Sequence, residues 1–389
     1  MTEWRLKDCC YSISDGDHLP PPKSSCGIPF ITISNIDSTN HIDFENTLFV
    51  PIEYYNNLDS IRKPQVNDII YSVVGSFGKP VLIKENRPFV FQRHIAILRP
   101  NNEIVDSRYL YYVMLSRDFY MQADSVALGA AQRTISLTSL RNMKVQLPDL
   151  AVQRRIAEVL SRYDALIENY QRQIKLLEEA AQRLYKEWFV DLRFPGHQST
   201  PIINNLPQSW QKKKLIELVN VQYGYAFDGS LFNSDKKGMP IVRIRNIPDG
   251  YTSDYTTEEA SPEYVVRNGD ILVGMDGIFH INSWSGGNAL LVQRACSFRP
   301  KAEELRGFVF QAIKEPIKYF EKTLVGSTVA HLGKKHIDSI ELLVPSNKEL
   351  FEPFTRFFNQ RQGLLAQIRN LSEARDRLLP KLMSAEINV

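Results

Sequence analysis

Few groups in this 389-residue chain stand where they could make or break a covalent bond. No GxGxxG or GxxxxGK phosphate loop, no HExxH pair and no GxSxG nucleophile elbow occurs, and His331 and His336 are five positions apart, the wrong spacing for one helical face. An Asn/Asp-Pro-Pro-aromatic motif of the kind amino-methyltransferases use is also missing. The cysteines (Cys9, Cys10, Cys26, Cys296) form no CxxC pair, so neither a zinc site nor a disulfide framework is expected. The run DGDHLPPP, Asp15 to Pro22, sets a histidine among carboxylates but reads as a polar turn leading into a polyproline kink. What remains is recognition by hydrogen bonding. The candidates are polar and basic residues in Gly-rich or strand-edge positions: Ser76, Lys79, Arg93, His94, Gln132 and Arg133, then Arg243, Arg245, Asn246, His280, Asn282, Trp284, Lys334 and Lys335. These are the types that read nucleic-acid bases, Arg paired in bidentate fashion with guanine and Asn or Gln with adenine.

The two groups of candidates fall in two copies of one sequence unit. GIPFITISNI begins at Gly27 and GMPIVRIRNI at Gly238. Trp4 corresponds to Trp210, NDII at Asn67 to NGDIL at Asn268, and FQRHIAILRP at Phe91 to VQRACSFRP at Val292. GAAQRTISLTSLRNMKVQLP at Gly129 corresponds to GSTVAHLGKKHIDSIELLVP at Gly326. Four blocks recur in one order, with an offset that drifts only from 211 to 197, far longer than a solenoid repeat. Within each copy, short runs of Ile, Val, Phe and Tyr between Gly, Pro and Asn turns predict β-strands. PFITISNI and PIVRIRNI alternate, so Ile31 and Ile33, or Val242 and Ile244, face one way and Thr32 and Ser34, or Arg243 and Arg245, the other. Asn35 and Asn246 are expected in turns. One helix is expected after each Arg-Pro, over SRYLYYVMLSRDFYMQA and LRGFVFQAIKEPIKYFEK. The fold class is therefore mixed α/β (α+β), with two pseudo-symmetric globular domains.

Each copy is followed by a helical segment. Residues 151–193 contain neither Gly nor Pro, and Ile156, Leu160, Tyr163, Ile167, Tyr170, Ile174, Leu177, Ala181, Leu184 and Trp188 step by fours and threes in the manner of a coiled-coil seam. Pro195-Gly196 is expected to stop the helix. The second stripe is Leu350, Phe354, Phe357, Leu364, Ile368, Leu371, Leu378 and Leu382, interrupted at Arg361 and Arg375. Two such seams predict an antiparallel coiled coil that holds the two heads apart. The expected domains are 1–148 and 210–345 for the heads, 149–194 and 346–389 for the spacer helices, and 195–209 for a linker.

Composition agrees with a globular chain: 43% hydrophobic, 23% charged and a net charge of only +3. No run of 18 apolar residues and no apolar leader core is present, so a cytoplasmic protein is expected. With so little net charge, a nucleic-acid contact has to focus its positive residues on one face. Two similar, non-identical heads on a rod suit two unlike half-sites on one duplex, whose equivalent faces recur about every 34–36 Å. A two-headed scaffold that binds protein without DNA specificity is the alternative.

The order, duplication and spacing of these motifs resemble the specificity subunit of Type I restriction–modification systems. In that family each of two target-recognition domains opens with a Trp and a G-x-P-x-x-x-x-x-N-I block, closes on a Gly-Ser/Ala turn and a strand ending in Leu/Val-Pro, and leads into a long helix. LPDLAVQRRI here is similar to the family's P-L-x-x-Q-x-x-I helix start, whereas VPSNKELFEP lacks the Gln–Ile pair. The resemblance implies a subunit with no catalytic site and no cofactor of its own. It implies double-stranded DNA with a bipartite, asymmetric target as ligand, and two methyltransferase subunits docked along the helices, with S-adenosylmethionine bound in them. It further implies restriction subunits that use ATP and Mg2+.

Overall fold

The blocks that recur in the sequence are the strands of two like sheets. The computed structural model describes residues 1–16, 21–37, 40–129, 133–324 and 330–387, and divides them into unit 1, Met1–Leu166 with Leu371–Val389, and unit 2, Ile167–Asn370. Unit 1 holds a four-stranded antiparallel sheet in the order Cys10–Asp15, Ile95–Pro100, Ile69–Ser72, Pro80–Leu82. Unit 2 repeats it as Val219–Tyr223, Ala295–Pro300, Ile271–Gly274, Ile281–Ser283. A parallel pair accompanies each sheet, Ile28–Ile31 with Val90–Phe91 and Met239–Val242 with Ala289–Leu291. The opening strands Thr2–Arg5 and Gln211–Lys214 pair antiparallel with the closing strands Lys144–Leu147 and Glu341–Val344. Registers match as well: Ile69 lies opposite Leu98 and Ile271 opposite Phe298.

The repeated residues explain themselves in these sheets. Gly27 and Gly238 have left-handed backbones, at φ +130° and +82°, and a Cβ on either would lie 2.4 Å from the Val50 carbonyl oxygen or 2.0 Å from that of Thr256. The Arg of each Arg-Pro reaches the Asp of the NDII or NGDIL block. Arg99 donates to Asp68 at 2.9 and 3.1 Å, and to the Lys63 carbonyl at 3.0 Å. Arg299 donates to Asp270 at 3.2 Å and to the Val265 carbonyl at 2.7 Å. The clamp joins the two middle strands of the sheet to the segment before them.

Two elements differ from the sequence expectation. PFITISNI and PIVRIRNI are strands only as far as Ile31 and Val242, and 3-10 turns follow at Ile33–Asn35 and Ile244–Asn246. The facing is as expected, since Ile33 and Ile244 pack on the same cores as Ile31 and Val242. The asparagine ends the strand: Asn35 Oδ1 accepts from the Thr32 N–H and Asn246 Oδ1 from the Arg243 N–H, each at 2.9 Å. The helix after each Arg-Pro is two helices, Ser107–Leu115 with Arg117–Val126 and Arg306–Ala312 with Lys314–Thr323. Ser116 turns extended and caps the second by accepting from the Phe119 N–H at 3.2 Å. In unit 2, Pro316 occupies the first turn of the second helix, where its missing N–H is no loss.

The central helix runs Leu150–Tyr185 and the C-terminal helix Glu352–Met383. The central helix ends earlier than Pro195 would require. It widens into a π-type turn at Lys186–Val190, which carries Trp188, and Leu192 at φ +56° ends it. Both helices contribute to both units. In unit 1, Ile156, Ala157 and Leu160 share a core with Leu379 and Leu382, with Leu378 packed against it, and Arg375 pairs with Asp164 at 2.7 Å. In unit 2, Phe189, Phe354 and Phe358 share a core against which Leu184, Tyr185 and Trp188 pack, and Arg361 pairs with Glu178 at 2.5 Å. In each unit the partner numbers fall as the central helix advances, so the pairing is antiparallel. The arginines that interrupt the apolar stripe are the residues that cross between helices, fourteen positions apart, as are their carboxylates. Of the remaining seam residues, Tyr163, Tyr170, Ile174, Leu177, Phe357, Leu364, Ile368 and Leu371 are half-buried, and Ile167, Ala181 and Leu350 are buried. Among the described residues no helix is long and apolar enough to cross a membrane.

The clamp yields a stability order. The Asp68 side chain is 3% exposed and that of Asp270 14%. Arg99→Met strands the deeper charge and is expected to cost about 3–5 kcal/mol, with Arg299→Met costing less. Urea unfolding of the full chain measures both, and an equal or reversed order contradicts the role given to the clamp.

Candidate nucleic-acid interface

In unit 2 the loop between the strands Ile271–Gly274 and Ile281–Ser283 is gripped from both sides. The Met275 N–H donates to the Arg294 carbonyl at 2.8 Å. On the other side Leu332 N–H donates to the Met275 carbonyl at 2.7 Å and Gly277 N–H to the Ala330 carbonyl at 3.0 Å. Asp276 therefore sits in the middle of three segments that lie side by side, bridged antiparallel to His331. Its carboxylate takes His331 Nδ1 at 2.5 Å on one oxygen and Arg294 Nη1 on the other. The Asp276 side chain is 12% exposed, whereas those of Arg294 and His331 are 67% and 58% exposed. Burial pushes the Asp276 carboxyl up, but the bonds from His331 and Arg294 outweigh it and hold the group below the usual carboxylate range. Asp276 is thus ionised, and His331 donates to it through Nδ1, leaving Nε2 on the solvent side.

Unit 1 builds the same three-segment backbone from other side chains. Val73 N–H donates to the His94 carbonyl at 2.9 Å, Ile135 N–H to the Val73 carbonyl at 2.8 Å and Gly75 N–H to the Arg133 carbonyl at 2.9 Å. Val74, His94 and Thr134 stand where unit 2 has Asp276, Arg294 and His331. Beside them Arg133 bonds the Asp124 carboxylate and carbonyl, with its guanidinium 5.5 Å from the Phe77 ring, which stacks on Tyr120.

The expected recognition residues are distributed unevenly over this surface. Ser76 is exposed in the loop of unit 1, and Arg93 and His94 form the adjoining turn. Lys79 is tied down, its Nζ donating to the Ile36 and Asp37 carbonyls at 3.3 Å. Gln132 lies outside the described residues. In unit 2, Arg243, Arg245 and Asn246 converge on Asp254 at 2.7, 3.0 and 3.2 Å. His280 is half-buried at the end of the gripped loop, and Lys334 and Lys335 are exposed on the short helix Lys334–Asp338. Asn282 and Trp284 face inward. Asn282 donates to the Ile247 and Pro248 carbonyls at 3.0 and 2.7 Å and accepts from Arg361 at 2.7 Å. Trp284 is 0% exposed, with Nε1 donating to the Gly287 carbonyl at 2.6 Å. Residues of that kind shape the surface from beneath. Sequence reasoning missed Asp276, Arg294, His331 and Asp254. The alignment of FQRHIAILRP with VQRACSFRP carried one signal, because counting back from Arg-Pro places Arg294 against His94. Among the described residues no group of three or more His, Cys, Asp or Glu could hold a metal ion.

A family model described as Type I restriction modification DNA specificity domain matches residues 5–179 and again 207–371. The chain belongs to that DNA-specificity family. The two matches coincide with the two copies of the sheet. The chain is 24% identical to the Type I restriction enzyme MjaIX specificity subunit of Methanocaldococcus jannaschii, over 75% of this chain and 71% of that one. It is 22% identical to the HindI specificity subunit of Haemophilus influenzae over the whole of both chains. A solved Type I restriction–modification S subunit from M. genitalium shares the fold, at a TM-score of 0.55 and 17% identity over 98% of this chain and 95% of that one.

Asp254 makes an acid-sensitive joint in this DNA-specificity chain. Burial raises its carboxyl, but hydrogen bonds from Arg243, Arg245 and Asn246 lower it further, for a net depression. A depressed carboxylate contributes stability that is full above its unfolded value, about 3.9, and lost as pH falls through the lower folded value. Wild type is expected to exceed Asp254→Asn in urea stability above about pH 5, with the gap closing as acid is added. A gap independent of pH contradicts the assignment.

Proposed function

We propose that this chain is the non-catalytic specificity subunit of a Type I restriction–modification complex, with each unit reading one half of a bipartite target in double-stranded DNA. The observation that carries the reading is the doubled surface: one backbone arrangement, built twice with the same hydrogen bonds, bearing Val74, His94 and Thr134 in unit 1 and Asp276, Arg294 and His331 in unit 2. Like backbones meet equivalent positions on a duplex, and unlike side chains select unlike half-sites. Residues 1–148 and 210–345 are the recognition domains, and 149–194 and 346–389 the helices that set the spacing, with 195–209 linking them. Two methyltransferase subunits dock along those helices. Each presents S-adenosylmethionine to an adenine flipped from the stack, and restriction subunits supply ATP- and Mg2+-dependent cleavage. The complex works in the cytoplasm, where its DNA lies.

Sequencing methylated adenines in cells that express the chain with its methyltransferase tests this. The expected motif has two unlike halves and a fixed gap, and replacing residues 210–345 by those of a relative changes one half alone. An uninterrupted motif, or a swap that alters both halves, contradicts the division of labour. Affinity for duplex DNA is also expected to fall steeply with salt through counterion release, which a protein scaffold has no reason to show.

A further inference from the structure

We infer that Arg294 and His331, held by Asp276, form the base-reading pair of unit 2 and select a guanine in its half-site. The inference rests on the DNA-specificity reading above and assigns it to particular atoms. Three independent features of the structure support it. Asp276 is the sheltered member of the trio and its partners are the exposed ones, so the carboxylate orients two groups that point to solvent instead of neutralising a buried charge. Arg294 lies at φ +68°, a left-handed backbone that Gly or Asn adopts with less strain. A long charged side chain kept in a costly conformation, on a turn, is a mark of a working position. The third feature is the comparison with unit 1, where the same backbone positions carry Val74, His94 and Thr134. The side chains thus differ between the copies at positions that share the same backbone hydrogen bonds.

The chemistry selects the base. Asp276 bonds one terminal nitrogen of Arg294 through Nη1. The other donors of the guanidinium stay available in a fixed plane, and that fork matches the O6 and N7 acceptors of guanine in the major groove. His331 presents its other ring nitrogen, Nε2, beside it, where it can hydrogen-bond the edge of the same or a neighbouring base. Asp276 is a positioning residue, because it acts through the other two.

The test uses the full chain in complex with its methyltransferase subunits and selection of bound duplexes from a random-sequence DNA library. Arg294→Lys keeps the charge and loses the fork. Arg294→Asn suits the left-handed backbone and removes the charge. Both are expected to lose roughly 10- to 100-fold of the preference for guanine at one position of one half-site, with the other half-site unchanged; relief of the left-handed strain offsets only part of the lost Asp276 ion pair, so the Asn variant stays folded but unfolds at somewhat lower urea than wild type. Asp276→Asn is expected to weaken the same position by a smaller factor. Unchanged selection in the Arg294 variants overturns the inference, as does an Arg294→Asn complex that loses affinity equally for every sequence while Arg294→Lys keeps full selectivity, the behaviour of a phosphate contact. A wild-type complex with no sequence preference overturns the specificity reading itself and this inference with it.

Discussion

Unit 2 is organised around one buried cation. Arg361 stands where a continuous apolar stripe would have placed a leucine, and it is buried. Its charge is met by Glu178 of the central helix through Nε, and its two terminal nitrogens donate to Asn282 and the Ser283 hydroxyl on the outer strand of the sheet. A guanidinium in so protected a site is tolerated because each of its three nitrogens is bonded and a carboxylate meets its charge. The consequence is geometric. Asn282 and Ser283 belong to the strand that leads out of the loop holding Asp276. Helix pairing and the orientation of the exposed surface thus meet in one side chain.

Unit 1 solves the same problem with other atoms. Arg375 takes Asp164, whose second oxygen accepts from the Tyr112 hydroxyl at 2.5 Å; burial, together with that carboxylate, pushes the phenol well above its ordinary value. The start of the central helix is fixed by Gln153, buried, which accepts from the Asp106 N–H at 3.0 Å and donates to the Pro148 and Ile104 carbonyls. The C-terminal helix lacks that glutamine and begins instead through a 3-10 turn at Lys348–Phe351, with Thr355 Oγ1 donating to the Glu304 carbonyl at 3.0 Å. The two copies keep their strands and vary their joints.

Much of this was legible in the chain because duplication prints structure twice. The recurrence of Arg-Pro and of an Asp-containing block marks two positions that meet in space, and a stripe stepping by fours and threes marks the helix seam. Local chemistry that competes with a pattern was harder to see. Ser116 looks like any polar residue between two helical runs, yet its hydroxyl caps the second. Asn35 and Asn246 stop strands that alternation alone would continue. The recognition surface was the least legible part. Asp276 and His331 are 55 positions apart and meet only after the sheet has formed. Trp284 and Asn282 carry the chemistry of base contact but are consumed by the core and the helix junction.

If one doubled surface reads DNA with side chains that differ between the copies, a structure of the chain with its methyltransferase subunits on a target duplex shows it directly. Arg294 and His331 are expected within hydrogen-bond reach of base edges in the major groove at one half-site, and the surface of His94 and Thr134 against the bases of the other. A complex in which these surfaces face solvent or partner protein, while other segments enter the groove, would contradict it.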